Sequence, residues 1–139
     1  MLRLWHDPQA VESSRVTAFP DLADLPAEEL DALAGAMHEV DVEAGAEVVA
    51  VDDYGTAIYF IEDGRADVLA EDGEPIRTLG PGDTFGEIAL LLTGERTATV
   101  AASTPMRLLA LSGEDFERIR ARVPEAERAL RRLGLDRAV

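Results

Sequence analysis

Cysteine and lysine are both missing from the 139 residues. Without cysteine there is no disulfide, no thiol nucleophile and no thiolate metal ligand, which fits a reducing compartment. Without lysine, all 13 basic side chains are arginines, set against 28 Asp and Glu for a formal net charge of −15. So negative a surface repels phosphate backbones and anionic headgroups, and neither nucleic acid nor a membrane is expected as a direct partner. The lack of lysine itself is read as the mark of a GC-rich genome. Long apolar runs are absent too. None exceeds five residues, as in "IALLL", far short of the roughly 20 that span a bilayer. The N-terminal "MLRLWHDPQAVESSR" has too short an apolar segment for a secretory signal, and a cytoplasmic location is expected. The two histidines, His6 and His38, lack His or carboxylate companions at ligand spacing, so no metal site is expected. No Ser-His-acid arrangement is evident either, and enzyme activity is not expected.

What is present has the size and the 47% hydrophobic share of one globular domain. In "LPAEELDALAGAMH", Leu30, Leu33 and Met37 recur at helical spacing behind Pro26 and two glutamates, which predicts a helix over about 26–37. Asp7-Pro8 can cap a further short helix upstream. After Glu39 the period falls to two. The runs "EVDVEAGAEVVAV", "AIYFI", "GRADVLA", "EPIRTL", "RTATVAA" and "MRLLAL" read as roughly eight strands, punctuated by Glu43-Ala44-Gly45, Asp63-Gly64, Asp72-Gly73 and Gly80-Pro81-Gly82-Asp83. Close strand-turn-strand spacing predicts an antiparallel sandwich or barrel. The helical period returns at Ser112, where "SGED" has the form of a capping box, and Phe116, Ile119 and Val123 share a face. Pro124 restarts a helix with Ala126, Leu130 and Leu133 along one stripe, and Gly134 stands near its stop. The expected organisation is one domain over residues 1–139, with a helical N-terminal region over 1–38, a β barrel over about 39–111, and C-terminal helices over about 112–135. The C-terminal arginines, interleaved with Glu125 and Glu127, are read as a solvated face.

One stretch carries chemistry. In "TFGEIALLLTGERTATV", Gly86 permits a backbone conformation or close approach that a side chain would block, and "EIALLL" suits one or two helical turns. Amides at such a helix start, joined by the forked cation of Arg96, form an anion site. The Glu87 carboxylate beside them accepts from sugar hydroxyls, so donors and acceptor together describe a ribose phosphate. A structural ion pair between Glu87 and Arg96 is the plainer alternative.

The stretch resembles the phosphate-binding cassette of the cyclic nucleotide-binding domain, with its F-G-E-[L/I]-A-L, short spacer and R-[A/S/T]-A-T-V. "YFIEDGRADVL" and "LGPGDTFGE" are similar to the same family, and the likeness covers about residues 19–134. It implies a β jelly roll with flanking helices, of a stand-alone and bacterial type. It further implies that Glu87 and the Gly86 backbone hold the ribose 2′-hydroxyl, that Arg96 with the amides of Ala89 and Thr97 holds the cyclic phosphate, that Ile88 packs nearby, and that Val68 and Ile76 face the purine. A C-terminal helix would act as a lid over the base. Asp52 stands where the family often has glycine, which bears on that loop's shape. Thr97 does not settle the base, and cAMP is placed ahead of cGMP as ligand. No cofactor is implied beyond that ligand, and the signal would pass to a homodimer partner or a separate effector protein. Two other readings stand beside this one: the same fold with a vestigial pocket serving protein interaction, and a metal-dependent cupin enzyme, whose ligands the chain lacks.

Overall fold

The computed structural model describes residues 3–5, 11–49, 57–86 and 98–137, with side chains for 11–48, 57–86 and 98–133. The chain starts with β1 (Arg3–Trp5), a strand the sequence did not signal, and α1 (Ser13–Val16). The start of the short helix expected at Asp7-Pro8 lies outside the described residues. α2 (Ala27–Ala36) follows Pro26 and carries Glu28 and Glu29 in its first turn, where negative charge is favoured.

The period-two region then yields β2 (His38–Val42), β3 (Glu47–Val49), β4 (Ala57–Asp63), β5 (Ala66–Leu69), β6 (Pro75–Leu79), β7 (Thr84–Phe85), β8 (Thr99–Ala102) and β9 (Met106–Ser112). They form a five-stranded sheet ordered β1-β2-β9-β4-β7 and a four-stranded sheet ordered β3-β8-β5-β6. Every pairing is antiparallel, giving the expected jelly roll. Gly45, Gly64, Gly73 and Gly82 take positive φ in the four turns marked by sequence, a conformation costly to residues with a Cβ.

Two cores share one wall. Inside the barrel lie Ala57, Tyr59 and Ile61 of β4 and Met106, Leu108 and Ala110 of β9, packed with Val40, Val68, Phe85 and Val100. The alternate residues of the same strands, Ile58, Phe60, Leu109 and Leu111, face a helical layer of Phe19, Leu22, Leu30, Leu33, Phe116 and Leu130. Burial on both faces explains why these strands read as continuous apolar runs and not as alternating ones. α3 (Gly113–Ile119) starts from Ser112, whose hydroxyl accepts from the Asp115 amide at 3.1 Å, the expected cap. A 3-10 turn (Arg120–Arg122) leads to α4 (Pro124–Arg137). Of the expected stripe, Ala126 and Leu130 are fully buried while Leu133 is only half-buried, and Val123, just before the helix, is fully buried as well. Among the described residues, no helix is long and apolar enough to cross a membrane.

Candidate functional site

The strand registers place the entrance and exit of the chemically suggestive stretch at one end of the barrel. β7 pairs with β4 through Phe60↔Thr84 and Tyr59↔Phe85, so the chain leaves Phe85 toward the Ala57 end of β4. β8 begins with Thr99 opposite Leu69 and finishes with Ala102 opposite Ala66. Because β4 and β5 are joined by the short Gly64-Arg65 turn, Leu69 and Ala57 lie at the same pole. The segment between Gly86 and Ala98 therefore starts at the edge strand of one sheet and returns to an inner strand of the other, both ends at that pole. Short antiparallel strands hold this geometry by ladder bonds and packing.

The entrance is fixed by aromatic packing: the rings of Phe85 and Tyr59 stack with centroids 5.1 Å apart and planes at 21°. Gly86 follows with φ +93°, a backbone conformation that a residue with a Cβ adopts only at a cost. Thr84 and Thr99, which flank the segment, are both buried. Glu87, Ile88, Ala89, Arg96 and Thr97 lie outside the described residues, as does Asp52.

Val68 and Ile76, expected to face one ligand, occupy different environments. Val68 is 7% exposed and packs inside the barrel. Ile76 is 60% exposed, the one exposed large hydrophobic among the described residues. The register explains it: Val68 pairs with Arg77 and Leu69 with Pro75, so Ile76 is the extra residue of a bulge on edge strand β6, and bulges re-aim side chains.

Charge elsewhere serves structure. Arg15 of α1 grips both carboxylate oxygens of Glu62 and also Glu39 at 3.0 Å, tying the N-terminal helix to β4 and β2. The fork to Glu62, opposed by partial desolvation and helped by Glu39, holds the guanidinium still more firmly protonated. Arg120 forks onto Glu127 at 2.8 and 2.9 Å and lies 5.6 Å above the Phe116 ring. That fork, reinforced by Arg131, keeps the Glu127 carboxyl below its ordinary range against the pull of desolvation. Several C-terminal arginines thus sit in ion pairs on a solvated face. His38, for which sequence spacing offered no carboxylate, meets Asp115 at 3.2 Å across 77 residues of chain. Among the described residues no group of three or more His, Cys, Asp or Glu could hold a metal.

Comparison with known proteins decides the family. Residues 39–123, from β2 to the start of α4, match the family described as the cyclic nucleotide-binding domain. The chain belongs to the cyclic nucleotide-binding domain family. A cAMP-dependent protein kinase regulatory subunit of Yarrowia lipolytica is 35% identical over 115 residues, 82% of this chain and 31% of that protein. A cyclic nucleotide-gated potassium channel of Rhizobium etli is 34% identical over 122 residues, 88% of this chain and 34% of that protein. The chain thus spans about a third of the length of these relatives. Among solved structures, the regulatory subunit of a cAMP-independent protein kinase A from Trypanosoma brucei superposes with a TM-score of 0.77 at 27% identity, covering 88% of this chain and 44% of that one.

The family match contains the whole cassette sequence and both strands that flank it. Glu29 and Arg15, which lie outside the matched residues, were missed by the sequence reading as sites of consequence. Glu29 left a faint signal, since it shares a helical face with Leu33, four residues on.

Proposed function

We propose that this cyclic nucleotide-binding domain is a sensor for a cyclic nucleotide, cAMP ahead of cGMP, that binds the ribose phosphate in the 86–97 cassette and signals through its terminal helices. The observation that carries the reading is the intact sequence F-G-E-I-A-L through R-T-A-T-V, strung between a positive-φ Gly86 and buried Thr99 at one pole. In this reading Arg96 with the Ala89 and Thr97 amides takes the phosphate, Glu87 and the Gly86 backbone take the ribose hydroxyl, and Ile88 packs beside them. Exposed Ile76 receives the purine, with buried Val68 supporting that wall from inside. Such a module regulates and does not catalyse, and its output passes to a separate effector or a second copy.

The second reading, a pocket without cyclic nucleotide, draws on the Trypanosoma brucei relative, whose description is cAMP-independent. A triple variant of it is described bound to cAMP in its A site. Calorimetry with cAMP and cGMP on the wild type and on Arg96→Ala decides between them. Loss of the guanidinium leaves a desolvated phosphate without its partner, at a cost of about 2–5 kcal/mol, or roughly thirty- to several-thousand-fold in affinity. Equal binding by wild type and variant, or none by either, would defeat the sensor reading.

A further inference from the structure

β7 is only two residues long, Thr84–Phe85, and lies at the edge of its sheet, where β4 is its one neighbour. Two residues give a strand almost no ladder of its own. The approach to it is well tied: the Ile61 amide donates to the Asp83 carbonyl and the Gly82 amide to the Ile61 carbonyl, both at 2.9 Å. The register then ends at Tyr59↔Phe85. Phe85 is thus the last residue paired with β4 before Gly86, whose φ of +93° lies where glycine moves freely. Such a residue imposes little direction of its own on the chain.

What Phe85 leans on is firm. Its ring, 4% exposed, stacks on that of Tyr59, 2% exposed, and both belong to the barrel core. On its other side Tyr59 pairs with Ala110 of β9, so its backbone is fixed from two directions within the sheet. Stacking orients ring against ring as well as burying area. Leucine would fill much of the same space without that orientation.

We infer that Tyr59 is a positioning residue: its ring, acting through Phe85, sets where the chain leaves β7 at Gly86, and with it the affinity of the 86–97 stretch for cyclic nucleotide. The effect on affinity rests on the sensor reading; the placement of Gly86 does not. Where the entrance is correctly placed in only a fraction of molecules, apparent affinity falls by that fraction. A lost aromatic pair shifts such an equilibrium about two- to twelve-fold, so calorimetry with cAMP should show Tyr59→Leu weakened by that factor. Phe85→Leu should match it, and carries the measurement if Tyr59→Leu folds poorly. Tyr59→Phe, which keeps the ring, should bind as the wild type does. In the ligand-free protein, hydrogen exchange at Phe85 and Gly86 should quicken several-fold in Tyr59→Leu and stay unchanged in Tyr59→Phe. Met106→Ala is the control, because it removes apolar volume from the same core at the opposite pole. It should lower stability and leave both readouts as in the wild type. Wild-type affinity in Tyr59→Leu and Phe85→Leu overturns the inference. So does a loss in Met106→Ala as large as theirs, which makes the effect one of stability alone. An equal loss in Tyr59→Phe assigns it to the hydroxyl and overturns the role of the ring. Should the wild type bind neither cAMP nor cGMP, the sensor reading falls and the effect on affinity with it, while exchange at Gly86 still decides whether the ring sets the entrance.

Discussion

Gly64→Ala should be among the most damaging single-atom additions to this barrel. Gly64 sits between β4 and β5 at φ +90°, and a Cβ built there would lie 2.3 Å from the Pro105 carbonyl oxygen and 2.8 Å from Met106 Cα. Both neighbours are backbone, so they yield only if the turn before β9 moves. Gly73 is the natural control, with φ +86° and nothing within 4 Å of the added atom. Left-handed backbone costs alanine about 1–2 kcal/mol, partly offset by a less flexible unfolded chain, so Gly73→Ala should lose about 1 kcal/mol. Forcing a methyl against backbone adds about 2–3 kcal/mol, for a total of about 3–4 at Gly64. At about 3 °C per kcal/mol for a chain of this size, the Tm should fall by about 10 °C in one variant and about 3 °C in the other. Paired urea and thermal melts followed by circular dichroism measure the difference. If the two variants agree to within about 0.5 kcal/mol, the steric argument is wrong. Because Gly64 lies at the pole opposite Phe85 and Thr99, the proposed sensor function predicts that folded Gly64→Ala keeps the wild-type affinity for nucleotide.

Ile76→Ser should change stability by no more than about 0.5 kcal/mol, since the side chain is already in water, yet weaken nucleotide binding measurably by calorimetry. Val68→Ala should instead lower stability by about 1–2 kcal/mol in a urea melt through loss of buried methyl groups. Glu127→Gln should destabilise at pH 7. The folded carboxyl is held below its unfolded value by Arg120, so its contribution is complete above the unfolded value and fades as pH falls through the folded one. The gap between variant and wild type should therefore close below about pH 4, and a gap constant from pH 7 to 3 refutes the pairing. Arg15→Gln should loosen the attachment of α1, speeding hydrogen exchange around Val16 by several-fold while leaving the barrel strands protected. Uniform exchange across both would show that Arg15 does not act locally.

Much of the fold was legible because its signals are local. Turn glycines at 45, 64, 73 and 82 announce themselves by a conformation only glycine adopts cheaply, and the Ser112 cap needs just three residues to recognise. The period change at Glu39 likewise follows from side-chain geometry along a single strand. The cassette pattern was legible for a different reason, since it is nearly contiguous in sequence, and it lies within the residues that match the cyclic nucleotide-binding domain family. β1 and β7 were not legible. Three-residue and two-residue strands carry no period, and they exist only because β2 and β4 offer them a free edge.

By itself, then, the sequence determined where the turns and most of the helices and strands lie and to which family the chain belongs, since these follow from neighbours along the chain. Tertiary structure alone decided which faces of β4 and β9 meet which core, why Ile76 is turned outward while Val68 is enclosed, and how Glu29 and His38 find Ala126 and Asp115 from 97 and 77 residues away. No local pattern encodes such pairings, because they come from packing elements that the chain connects only at a distance.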